Sequence, residues 1–317
     1  MERYYEALEG LPEELRDKLG LRTDLSSDEE ARMMGLPNVS SGLLVKKAGI
    51  FRPERVVEWY YELCKGEGVE FKFGEEVESL LVEPSSPLGI PGEPFPWQEK
   101  RVAGVRLSTG EELKAEKTVL AAGAKSFMLT DAIGIDCHTK PKKRQVFVIN
   151  AGDSPMEELL FGGDLTGEGS MPFVILPNGA YVRPSPEDRS FWVGYADELG
   201  RPFSYEKDPQ PERNFFFYGI YPVLAKYFPQ FEGVEPINAW AGHYEICTLD
   251  ELPVAFEEAD LIFSGGLIGI FKADAMGRVV SALYSGRAFA ELFGGEKIYV
   301  GNVGINERVR EEERLVI

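Results

Sequence analysis

Histidine is scarce in this sequence: with only His138 and His243, a histidine-ligated metal centre and most serine-triad chemistries have too few groups to work with, and no metal is expected. Cysteine is scarce too. Cys64, Cys137 and Cys247 are odd in number and far apart, which points away from a disulfide framework or a zinc site and fits a reducing, cytoplasmic setting. No apolar run reaches the length of a membrane span, and Met1 opens a polar stretch rather than a signal peptide. Basic charge is in short supply: 34 Lys and Arg against 53 Asp and Glu leave a net charge of -19, which argues against nucleic acid or an anionic membrane as partner. Small metabolites or other proteins fit better. Few glutamines beside many Glu and Lys hint at a heat-adapted source. At 317 residues, 44% hydrophobic and 27% charged, the chain has ample core for two domains or one large one.

The chain is organised around residues 260 to 290. Leu261-Ile262-Phe263 reads as a buried strand, Ser264-Gly265-Gly266-Leu267-Ile268-Gly269 as a glycine turn, and Met276, Val280 and Leu283 mark an amphipathic segment running through Phe293. Such a unit presents unpaired N–H groups and a positive dipole end to an electron-rich ring or an anion. Glycine turns that bind nothing are equally common between strands and helices.

Upstream, Tyr4, Leu8, Leu11 and Leu15 have helical spacing, and Ser27-Asp28-Glu29-Glu30 forms a capping box for a short helix ended by Gly35 and Pro37. Leu43 to Val45 is a short strand, and Pro53 starts a helix that closes at Gly66 and Gly68. Val69, Phe71 and Phe73 alternate as a strand, as do Glu76 to Val82, before a proline-rich loop. Val102 to Leu107 and Glu112 to Ala115 flank the hairpin turn Ser108-Thr109-Gly110. Thr118 to Ala124 reads as a buried strand ending on small residues. After the charged run Thr139 to Arg144 the texture changes to strands (145 to 149, 173 to 176, 180 to 182, 191 to 195) with one helix at 222 to 228. The α/β texture resumes at Asp250, which predicts an antiparallel-sheet domain inserted into an α/β one. The charged stretch from Glu296 to Ile317 is expected to be a solvated or edge-covering tail.

Several stretches together resemble the FAD-dependent amine and amino-acid oxidoreductases of the D-amino-acid oxidase superfamily, especially the sarcosine and dimethylglycine dehydrogenase-like branch. They are Ala48-Gly49-Ile50-Phe51-Arg52-Pro53, Gly68-Val69 through Glu76-Val77, Thr118 to Ala124, Trp240-Ala241-Gly242 with Asp250 and Pro253, and Gly265 to Gly277. The resemblance implies a mixed α/β fold: a discontinuous flavin-binding-like domain over residues 48–126 and 250–295, and a substrate domain of mixed or antiparallel sheet over 1–47 and 127–249. It places Val77 at the adenine end of FAD, Ala122 and Gly123 near the ribityl or pyrophosphate region, and Gly265, Gly266, Leu267, Gly269 and Ile270 along the flavin ring.

The chain also departs from that pattern. No G-x-G-x-x-G opens it and no strand with a ribose-binding acid follows, so a first βαβ unit is expected to be missing. Lys125 stands where the family often has tryptophan, Leu267-Ile268-Gly269 replaces Gly-His-Gly, and the covalent flavin-cysteine position falls near His243 rather than at Cys247. The implied reaction is hydride transfer from the carbon beside an amine nitrogen to flavin, followed by hydrolysis of the imine. Arg183 is the candidate carboxylate clamp, with a sheet-edge salt bridge as its alternative. Lys272, early in the helix after the glycine turn, is a candidate cation near the ring or a solvent-facing lysine. His243 and Tyr244 are candidates for the cavity; alternation allows one of them to face it, and either reads equally as a core residue. A partner-dependent subunit with an incomplete flavin site, or a gene start placed too late, is the alternative to a self-sufficient enzyme. On this reading the chain alone holds FAD weakly, and the uncovered strands at Thr118 and Leu261 promote self-association.

Overall fold

A computed structural model describes residues 21–22, 36, 44–45, 49–153, 155–164, 167–176, 178–197, 199–267 and 269–308. The helices expected before Gly35, Ala48, Ile268 and the end of the tail lie outside the described residues. In chain order the elements are β1 (Leu21–Arg22), β2 (Leu44–Val45), α1 (Pro53–Gly66), β3 (Val77–Pro84), β4 (Lys100–Leu107), β5 (Glu112–Lys114), β6 (Thr118–Leu120), α2 (Ser126–Asp131), β7 (Thr139–Asn150), α3 (Met156–Gly162), β8 (Val174–Ile175), β9 (Tyr181–Ser185) and β10 (Ser190–Gly194). They continue with α4 (Tyr221–Tyr227), β11 (Pro236–Cys247), β12 (Val254–Glu258), β13 (Leu261–Gly265), α5 (Gly269–Tyr284), β14 (Phe289–Glu291) and β15 (Lys297–Tyr299). The chain is mixed α/β.

The largest sheet is antiparallel, in the order β11-β7-β10-β9-β8. Its period-2 pattern sends Phe147, Ile149, Val182, Phe191 and Val193 to one face, where they pack on Phe216, Ile220, Leu224, Phe228 and Phe231. Each such side chain contributes about 1.5–3 kcal/mol of burial. The π-helical turn Phe215–Ile220 leads into α4, whose Pro222 cannot donate to the preceding turn.

A second, mixed sheet has the order β12-β13-β6, with β13 antiparallel to β12 and parallel to β6. Leu261 lies opposite Thr118, so strands more than a hundred residues apart in sequence share one sheet. Helix α5 packs Met276, Val279 and Ala282 beside Ala255 and Ala290. It stops at Tyr284 rather than running on to Phe293, because Gly286 takes φ +65 and the N–H groups of Gly286 and Arg287 close on Leu283 and Ala282. The remaining larger sheet is β3-β4-β5.

Four expectations are corrected. Residues 69–73 form no strand: Phe71 and Phe73 fold onto Tyr61 with ring centroids 4.7 and 5.7 Å away, and no strand among the described residues pairs with them. The Thr118 strand is three residues long, and Val119, Ala121 and Ala122 are exposed because β6 is an edge. The charged run 139–144 is not a break but the first half of β7, with Lys142, Lys143 and Arg144 buried. Alternating lysines carry no strand signal, and their burial depends on partners from residues 197–212 that sequence spacing does not reveal. Of the two roles expected for the tail, solvated or edge-covering, the solvated one fails for its described part: Arg308 forks onto Asp250 at 2.5 Å through both oxygens. Helix α3 went unread because seven residues are too few to display a 3.6-residue period.

Candidate functional site

Directly opposed residues of neighbouring strands share a face. Pairings Lys142 with Tyr244, Arg144 with Gly242, Val146 with Trp240, Gly194 with Tyr181 and Trp192 with Arg183 therefore define the face of the large sheet turned away from its aromatic core. It is rich in cations and aromatic rings. Arg183 lays its guanidinium on Trp192, 4.3 Å from the ring centroid, and Trp192 meets Trp240 edge-on at 4.9 Å. Arg144 lies 5.4 Å from the Tyr244 ring centre.

A cavity of about 170 Å³ opens here, lined by Arg144, Gln145, Val146, Tyr181, Tyr195, Trp240, Gly242, His243 and Tyr244. His243 and Tyr244 both border it. Alternation forbids that in mid-sheet, but β11 is an edge strand, so residues of both its faces meet the same space. Burial raises the Tyr181 and Tyr244 hydroxyl pKa values above the ordinary range, so both remain protonated at neutral pH.

Arg183 Nη1 is buried without a hydrogen-bond partner among the described residues. Burial lowers the guanidinium pKa, and nearby Asp188 opposes that without forming an ion pair. A buried charged donor left unpaired costs about 1–3 kcal/mol or more, so this position favours an incoming anion.

His243 faces a charged strap over residues 197–213. The backbone N–H of Glu206 donates to its Nε2 at 3.1 Å, and Tyr205 stacks on it at 5.1 Å. Burial lowers the His243 pKa, with Glu206 opposing and Lys143 adding to the shift. The same strap supplies Glu206 and Glu212 to Lys143 at 3.2 and 3.1 Å, while Arg201 binds Glu212 and Asp197. Lys125, at the end of the turn starting at Gly123, lies 6.0 Å from the Tyr205 ring centre, which brings the Ala122-Gly123 turn to the same margin.

The glycine turn has two halves. A Cβ on Gly265 would stand 2.6 Å from Oε1 of Glu245, and one on Gly266, at φ +72, 2.9 Å from Cys247 Cβ. These glycines make room for β11. At Gly123 (φ +59) and Gly269 (φ +52) no atom lies within 4 Å of the Cβ position, so there the backbone has open sides. Leu267 is half-buried, and Ile270 and Lys272 fall in the first turn of α5. Val77 opens β3 opposite Leu107, in a different sheet from the turn and the cavity. Lys142, Arg144 and Glu245 join the site neighbourhood from positions that spacing did not single out.

Among solved structures the chain is similar to L-proline dehydrogenase from P. horikoshii (TM-score 0.64, 19% identity, covering 86% of this chain and 67% of that one). It is also similar to L-amino acid deaminase from Proteus vulgaris (TM-score 0.60, 16% identity, 90% and 70%) and glycine oxidase from Bacillus cereus (TM-score 0.60, 17% identity, 85% and 66%). Two curated relatives carry the name FAD-dependent oxidoreductase domain-containing protein 1. The Bos taurus protein is 24% identical over 273 residues, 78% of this chain and 52% of its own length; the Xenopus laevis protein is 27% identical over 169 residues, 50% and 30%. The chain thus spans about half or less of these relatives. The model of the DAO family, described as FAD dependent oxidoreductase, matches residues 2–283, and with that match the chain belongs to this family of FAD-dependent oxidoreductases.

Proposed function

We propose that this chain serves the oxidation of the carbon–nitrogen bond of a small amine or amino acid, in the manner of the sarcosine and dimethylglycine dehydrogenase-like branch. Bound FAD supplies the hydride acceptor. The reading divides the chain into a flavin-binding-like part (48–126 and 250–295), a substrate part (1–47 and 127–249) and a tail (296–317).

The residues fit the ring end of the cofactor. Gly123 and Gly269 have open sides next to the ends of the parallel strands β6 and β13, and α5 begins at Gly269, where a helix turns its first N–H groups outward. Ala122, Leu267 and Ile270 flank those glycines, Gly265 and Gly266 seat the turn on β11, and Val77 is assigned to the adenine end. Ala122 and Gly123 are assigned to the ribityl or pyrophosphate region; no G-x-G-x-x-G occurs in the sequence to add its N–H groups there, so on this reading the chain by itself holds FAD weakly.

The carrying observation is the buried, unpaired Nη1 of Arg183 on the face it shares with Trp192. Arg183 takes the substrate carboxylate, and Trp192, Trp240 and Tyr244 wall the apolar part and exclude water. Tyr181 and Tyr244 keep their protons and act as donors. His243 stays neutral and holds the strap, and Lys272 is the cation assigned beside the ring.

With enzyme reconstituted with FAD and assayed on sarcosine, dimethylglycine, glycine and L-proline, Arg183→Ala is expected to raise KM at least tenfold with a smaller change in kcat. An unchanged KM for every carboxylated amine turned over removes Arg183 from the site.

One observation favours a second reading, a chain that needs a partner to complete the flavin site. Helix α1 has no buried residue, Trp59 (60%), Phe73 (74%) and Phe271 (82%) lie exposed, and β6 is an edge strand with Val119 exposed. One flavin retained per chain after gel filtration overturns it; a colourless chain that self-associates supports it.

A further inference from the structure

The side chain of Glu245 sits where the two main sheets meet, without an ion pair among the described residues. Its Oε2 accepts the Gly266 N–H at 3.1 Å, its Oε1 accepts the Thr139 hydroxyl at 3.0 Å, and its backbone carbonyl accepts the Leu267 N–H at 2.6 Å. One residue therefore ties β11, the first residue of β7 and the turn that opens α5. The tie is enclosed: a Cβ on Gly265 would collide with both the Phe263 ring and the Glu245 carboxyl, so the turn meets the carboxyl closely only with glycine there.

Around the carboxyl, β7 presents Thr139, whose hydroxyl also touches Cys137 Sγ at 3.3 Å; α2 presents Ser126; and the turn presents N–H groups alone. No charged side chain contributes. Burial outweighs these hydrogen bonds and raises the carboxyl pKa. Both protonation states have partners, because the Thr139 hydroxyl can donate to a carboxylate or accept from a carboxylic acid while Gly266 goes on donating to the other oxygen. A carboxyl buried without a cation is a costly way to fix a turn unless its exact reach is needed.

We infer that Glu245 is a positioning residue, which sets the turn Gly265 to Gly269 and the start of α5 against the substrate-binding sheet. Through this contact the flavin ring and the Arg183 face keep a common register. The inference rests on the proposed flavin site, but the tie itself can be measured without the cofactor.

The test compares wild type with Glu245→Gln, Glu245→Leu and Thr139→Val by amide hydrogen exchange of the full chain, then by FAD titration. Glu245→Leu, which keeps bulk but no acceptor, is expected to speed exchange at Gly266, Leu267 and Gly269 by tenfold or more while β7 and β10 are unchanged, and to weaken FAD binding by a similar factor. Glu245→Gln is expected to restore slow exchange, its amide oxygen accepting from Gly266 and its NH2 donating to Thr139. Pairing it with Thr139→Val removes that rescue. Unchanged exchange at the turn in Glu245→Leu, or equal acceleration in every element, overturns the inference. Fast exchange at the turn with no FAD binding even in wild type keeps Glu245 as the tie and fails the flavin reading instead.

Discussion

His243 illustrates how one side chain acquires a role from its surroundings. Its Nε2 accepts a hydrogen bond from the Glu206 N–H, which only the neutral imidazole can do, and burial lowers its pKa from 6.5. The folded chain therefore binds the His243 proton less readily than the unfolded chain. Stability from this contact is present above pH 6.5 and is lost as pH falls through the lowered folded value. The melting temperature of wild type is expected to drop as pH falls below 6.5, and His243→Gln, which can still accept from Glu206, should show a smaller drop. Equal profiles would separate His243 from the strap. From sequence the residue was visible as one of two histidines, but its partner lies 37 residues away in an irregular segment with no period to read.

At the scale of elements, the large sheet and α1 make opposite use of apolar residues. Phe191 and Phe231 are fully buried with centroids 5.5 Å apart, joining β10 to the turn that follows α4. Phe231→Ala is expected to cost about 3–5 kcal/mol in a denaturant titration. Trp59 on α1 is a larger side chain, yet Trp59→Ser should stay within about 0.5 kcal/mol in the isolated chain, because an exposed ring has little buried contact to lose. A loss above 2 kcal/mol at Trp59 would mean that α1 is covered in solution. The Pro53 start and the glycine stop of α1 were legible because capping is local. The strand expected at 69–73 failed because alternation states a preference, and a strand exists only where another strand accepts its hydrogen bonds.

At the scale of the whole molecule, the most enclosed ion pair among the described residues joins Arg308 to Asp250, with side chains 2% and 1% exposed, and Arg308 also donates to the carbonyls of Pro253 and Val303. It fastens the described end of the chain to the link between β11 and β12. Removing one partner strands a buried charge, so Asp250→Ala is expected to cost about 3–5 kcal/mol. The double change Asp250→Leu with Arg308→Leu should cost less than Asp250→Ala, and the reverse order in urea midpoints would refute this account. With a net charge of -19, salt should act mainly on the exposed acidic surface and leave this pair unaffected.

What the sequence by itself determined follows from local physics. The strand, glycine turn and helix at Leu261–Tyr284, the Pro53 helix and the hairpin at Gly110 depend on neighbours a few residues away, as do the short apolar strands of the large sheet. Tertiary structure alone decided which face of that sheet lies open, that Arg183 stacks on Trp192 with a donor left unpaired among the described residues, and that Lys143 and Arg144 are buried against carboxylates from residues 197–212. It also decided why Gly265 and Gly266 are glycines. A positive φ or a missing Cβ can serve a ligand or a neighbouring strand equally well, and only the positions of Phe263, Glu245 and Cys247 in space distinguish the two.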